Sequence, residues 1–129
     1  MLTILPSPDH LGAYAISGTL TKEDFDRLIA DVDAKLKAHD RIAVMLDLTG
    51  FEDITFKAAL EDLRYGFGHI RDWTRFKREA VVTDKQWIRT MIHGAGMLLP
   101  FIELKTFEPG EQQAAIDWAA DIKQPASAS

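Results

Sequence analysis

The run Ile42-Ala43-Val44-Met45-Leu46 is apolar at every position and is bounded by Arg41 and Asp47. A strand with one wet face alternates apolar and polar residues. A continuous apolar run fits a strand covered on both faces, as strands in parallel sheets are. Ala80-Val81-Val82 repeats the pattern. Parallel neighbours need long crossover connections, and the sequence supplies helices between these runs. Phe25, Leu28, Ile29, Val32 and Leu36 fall at i, i+3, i+4, i+7 and i+11, one apolar stripe on a helix. Thr21, with Asp24 three residues on, is close to a capping box at its start. A second helix is expected from near Thr55, carrying Phe56, Ala59, Leu60, Leu63, Phe67 and Ile70 on one face. A third should start at Asp84 as N-cap, contain Trp87, Ile88, Met91 and Ile92, and break at Gly94-Ala95-Gly96. The last follows Pro109-Gly110, with Ala115, Trp118, Ala119 and Ile122 inward.

Leu2 to Leu5 and Leu11 to Gly18 read as two short strands. The turn Pro6-Ser7-Pro8-Asp9 between them suggests a hairpin. Phe101 to Phe107 alternates apolar residues with Glu103 and Lys105, as an edge strand would. The order is β-β-α-β-α-β-α-β-α. It implies a single α/β domain over residues 1–123, with a mixed, mostly parallel sheet of about five strands. Residues 124–129 form a polar, small-residue tail, expected to be flexible. Phe25, Leu28, Val32, Val44, Leu46, Leu60, Leu63, Val81 and Leu104 are expected to share one core between sheet and helices.

A chain of 129 residues is one ordinary domain's length. With no cysteine, it can form neither a disulfide framework nor a thiolate site. The four histidines, His10, His39, His69 and His93, show no metal-ligand spacing, so no metal is expected. Gly66-Phe67-Gly68 and Gly94-Ala95-Gly96 lack the third glycine of a dinucleotide loop, and no serine sits in a nucleophile elbow. No cofactor is expected, and no catalytic residue. The N-terminus lacks the charged and apolar regions of a signal peptide. The apolar stretch from Met91 to Ile102 is short of the roughly 20 residues that span a bilayer, so the chain reads as cytoplasmic. A net charge of −5 argues against nucleic acid. Residues 64–89, however, carry 7 Lys+Arg against 3 Asp+Glu, a local net of +4.

The phrase Val44-Met45-Leu46-Asp47-Leu48-Thr49-Gly50-Phe51 before a helix resembles the STAS domain, the anti-sigma-factor antagonist fold, and within it the SpoIIAA-like branch. The hairpin before Gly18-Thr19-Leu20-Thr21 supports the likeness. So do the Trp87 helix after Asp84, and Phe107-Glu108-Pro109 before a helix with Ala115 and Trp118. The resemblance implies a phosphorylation switch, with a serine just after the strand as acceptor. Here that segment has no Asp-Ser pair; Asp47, Thr49 and Thr55 are what remains of a switch loop, and Glu52 and Asp53 disfavour phosphate at Thr55. The branch is also similar in topology to CRAL-TRIO lipid carriers, which implies an apolar-ligand pocket or a membrane-contacting surface.

Trp87 to Ile102 is too apolar for a solvent loop. Trp87, Ile88, Met91, Ile92, Met97, Leu98, Leu99 and Phe101 are therefore the expected contacts to an apolar small molecule or a membrane. Arg71, Arg75, Lys77, Arg78, Lys85 and Arg89 precede the segment and would flank it toward anionic lipid. The expected function is non-enzymatic binding of a lipid-like ligand, with reversible peripheral membrane contact. The alternative is a protein–protein module of a partner-switch circuit, with a protein partner or a homodimer.

Overall fold

A computed structural model describes residues 1–53, 75–98 and 102–122. The side chains of 51–53, 95, 96 and 98 are outside the description. The elements are β1 (Leu2–Ile4), β2 (Leu11–Ile16), β3 (Gly18–Thr19), α1 (Lys22–Ala38), β4 (Ile42–Asp47), β5 (Phe51–Asp53), β6 (Phe76–Val82), α2 (Gln86–Leu98), β7 (Glu103–Phe107) and α3 (Gln112–Ala120). The expected helix from Thr55 and the expected tail fall outside the described residues.

The main sheet has five strands in the order β1-β2-β4-β6-β7. β1 pairs antiparallel with β2, and every other neighbour is parallel. The all-apolar strand β4 lies at the centre, and β7 is an edge, as their sequence patterns predict. β3 and β5 form a separate two-stranded sheet. Thr21 caps α1 with both halves of a capping box: its Oγ1 accepts the Asp24 amide at 3.1 Å, and Asp24 Oδ2 accepts the Thr21 amide at 3.3 Å.

Among the described residues there are two cores, one on each face of the sheet, where the sequence suggests one. Phe25, Leu28, Val32 and Leu36 of α1 pack on Tyr14, Ile16, Val44 and Phe76. Ala115, Ile116 and Ala119 of α3 pack on Leu11, Ala13, Ala43, Met45, Ala80 and Val82. The reason is the period of a strand. Successive side chains point to opposite faces, so Val44 and Met45 serve different helices. Leu46 and Leu104 are only half-buried against the α1 core, and Leu60 and Leu63 fall outside the described residues.

Glu79 interrupts the α1 face of the sheet. Its register neighbours are Val44 and Leu104, and it is half-buried. Burial raises its carboxyl pKa from 4.5 to about 6. The folded chain thus holds this proton more tightly than the unfolded chain. Glu79 favours the fold below about pH 4.5, and that contribution is lost as pH rises through about 6. Glu79→Gln should be more stable than wild type at pH 7 by about 1–2 kcal/mol, with the gap closing by pH 4. Denaturant midpoints of the two proteins at both pH values test this. A gap that does not change with pH would refute it.

Candidate functional site

The C-terminal end of β4 is the first candidate place, because open parallel sheets put ligands at the carboxyl ends of their strands. Asp47 is there, but its carboxylate is engaged. One oxygen accepts the Thr49 amide at 3.0 Å, and the other accepts Gln112 Nε2 at 2.8 Å. Asp47 therefore closes a turn and ties β4 to the start of α3. Thr55 falls outside the described residues.

The second place is α2. It starts at Gln86, two residues beyond Asp84. The hydroxyl of buried Thr83 accepts the Lys85 amide at 3.1 Å, ahead of the first turn. The expected break at Gly94 does not occur; the helix runs on to Leu98. A Cβ on Gly94 would meet nothing within 4 Å. A glycine in a helix costs about 1 kcal/mol, and the helix, packed against β7, continues despite it.

The apolar residues of α2 divide by helical phase. Ile88 is buried and Ile92 half-buried. Trp87, Met91 and Met97 are 48%, 56% and 86% exposed, three of the five large apolar side chains exposed among the described residues. The side chain of Leu98, and Leu99 and Phe101 entirely, fall outside the described residues. Between α2 and β7 runs an open groove of about 410 Å³, bordered by Ile92, His93, Met97, Ile102, Leu104, Lys105 and Thr106.

The basic residues do not gather into a ring around this surface. Arg75 donates to the carbonyls of Leu36, His39 and Asp40 and so caps the C-terminus of α1. Arg78 lies over the Trp118 ring, 4.6 Å from its centroid, donates to the Trp118 carbonyl at 2.7 Å and pairs with Glu103 at 3.4 Å. Lys77 borders a separate groove with Arg41, Arg78 and Asp121. Of the expected flank, only Lys85 and Arg89 among the described residues are near α2, and both are paired, with Asp84 at 3.6 Å and Glu108 at 2.8 Å. Arg71 falls outside the described residues. The expected basic flank comes apart because its residues sit on different elements: Arg75 precedes β6, Lys77 and Arg78 lie on β6, Lys85 precedes α2 and Arg89 lies on it.

Of the histidines, His10 Nε2 is 2.7 Å from the Ala120 carbonyl and its ring meets His39 edge-on, His93 is exposed on α2, and His69 falls outside the described residues. No helix of the described residues is long and apolar enough to cross a membrane.

A family model described as SpoIIAA-like matches residues 11–120. The chain belongs to the SpoIIAA-like family. Among solved structures it is similar to a DUF3478-family protein with a SpoIIAA-like fold from Shewanella loihica PV-4. That match has 27% identity and a TM-score of 0.64 over 92% of both chains. It is also similar to an anti-sigma factor antagonist from Mycobacterium paratuberculosis, at 19% identity and a TM-score of 0.49, over 91% of this chain and 95% of that one. No curated protein matches the sequence. The SpoIIAA-like fold expected from the strand–helix order is therefore this chain's fold.

Proposed function

We propose that this SpoIIAA-like chain is a non-enzymatic regulatory module of the STAS kind, acting through a protein partner. The observation that carries this reading is the exposed face of α2. Trp87, Met91 and Met97 stand in solvent on one helix, and the two residues of the expected basic flank beside them, Lys85 and Arg89, are already paired. Tryptophan and methionine are enriched at protein interfaces. Basic residues around an apolar tip add about 1 kcal/mol each near anionic lipid, and the dispersal of the expected basic flank removes most of that gain. The dispersal, together with membership of the SpoIIAA-like family, favours a protein partner over the lipid surface expected from the sequence.

The test is a photo-crosslinking amino acid placed at Met91, in the chain expressed in its own host. The control is the same group at Lys37, which is exposed on α1. A discrete protein adduct should form from Met91, be absent from Lys37, and disappear when Trp87→Ser is added without a fall in melting temperature. Equal adducts from both positions would overturn the proposal. So would a stoichiometric apolar molecule in native mass spectra of the purified chain.

A further inference from the structure

We infer that the groove between α2 and β7 binds an extended segment of the partner, which adds a strand to the edge of β7 that no described strand occupies. Its side chains alternate between apolar and acidic. This inference rests on the protein-partner reading above and gives that partner a chemistry.

The backbone of β7 supplies the first argument. Phe107 turns its carbonyl toward β6, where it accepts the Thr83 amide at 3.1 Å. Backbone groups on a strand alternate sides with period two. Glu103 and Lys105 therefore also face β6, and Leu104 and Thr106 turn their N–H and C=O outward. Because β7 is the last strand of the sheet, no strand among the described residues receives them. Three consecutive residues, Leu104, Lys105 and Thr106, border the same groove. Their side chains point to alternate faces, so the groove must run along the strand's edge. An exposed edge of this kind is a template for another strand.

The side chains supply the second argument. On the α2 side, Ile92, Met97, Ile102 and Leu104 make the groove apolar. On the opposite face, Lys105 Nζ lies over the Phe107 and Trp118 rings, 5.1 and 5.7 Å from their centroids. Lys105 and His93 are the basic residues on the border, and no carboxylate borders it among the described residues. A strand laid here would put one set of side chains into the apolar groove and the other set beside Lys105, where a carboxylate pairs across the strands.

The probe is a fluorescein-labelled peptide about eight residues long alternating Val and Glu, titrated by anisotropy against the full chain. Two further peptides carry N-methyl groups on one or the other alternate set of backbone nitrogens. Binding should be saturable, and one methylated set should weaken it about tenfold while the other leaves it unchanged. Replacing Glu by Lys in the peptide should weaken binding by a similar factor. Thr106→Pro removes an outward N–H that makes no bond within the sheet, and should also cost about tenfold. If that variant does not fold, the amides of Leu104 and Thr106 in wild type decide the matter. Peptide should slow their hydrogen exchange.

No binding at about 1 mM peptide, equal affinity of both methylated sets, or unchanged exchange at Leu104 and Thr106 would overturn the inference. So would a homodimer that Thr106→Pro dissolves, because then a second copy occupies the edge. If the peptide fails while Met91 still crosslinks to a protein, the edge is excluded and the partner reading stands.

Discussion

Gly12→Ala should destabilise the protein by about 1–3 kcal/mol, the cost of overpacking a closed core. A Cβ at this position would stand 2.4 Å from Tyr14 Oη and 2.7 Å from two carbons of its ring. The ring lies across Gly12 because the two residues share a face of β2. It has no room to swing away. Tyr14 is fully buried among Leu28, Val32 and their neighbours, and its hydroxyl donates to the Asp31 carboxylate on α1. Burial, and then the neighbouring Asp31, raise the Tyr14 pKa far above 10.0, so the phenol stays a donor at all ordinary pH values. Displacing the ring would leave the carboxylate with a lost partner, at about 1.5–3 kcal/mol for a bond to a charged group. A double-mutant cycle isolates the cause. In a Tyr14→Ala background, Gly12→Ala should lose most of its effect, whereas additive costs would show that the ring is not the obstacle.

Met45→Ala should cost more, about 2–5 kcal/mol. Met45 has no exposed surface and sits at the centre of the α3 core. The neighbouring substitution Leu46→Ala should cost only about 1–2 kcal/mol, because that side chain already keeps part of its area in water. Equilibrium unfolding in urea ranks the two. A larger loss at Leu46 would mean that the faces of β4 are assigned the wrong way round.

That comparison marks how far the sequence is legible. The apolar run at 42–46 predicts a central parallel strand, and the stripe from Phe25 to Leu36 predicts α1 with its cap. Both signals are local, and both stand in the structure. The run does not say which helix covers which residue, because an unbroken apolar strand carries no polar phase mark. The single expected core divides in two for that reason. The glycines at 94 and 96 read as a break because propensity is local, while the packing that carries α2 through them is not. The basic stretch reads as one patch because it is close in sequence. Arg75 at the end of α1 and Arg78 against Trp118 show that it is dispersed in space. The alternation at 101–107 marks β7 as an edge strand, but the groove that α2 forms beside it depends on packing and has no mark in the sequence. The pairing of Asp47 with Gln112, 65 positions later, was equally beyond a local reading.

The position of α3 after all five strands of the main sheet has a consequence for how the domain comes off the ribosome. Synthesis is vectorial, and residues 112–120 emerge after every strand of the main sheet. Until then Leu11, Ala13, Ala43, Met45, Ala80 and Val82 share a bare apolar face. A nascent chain in that state presents a sticky surface that is absent from the finished protein. Chaperones that recognise exposed aliphatic surface would therefore meet the chain once its strands have emerged, and release it when α3 closes over the sheet.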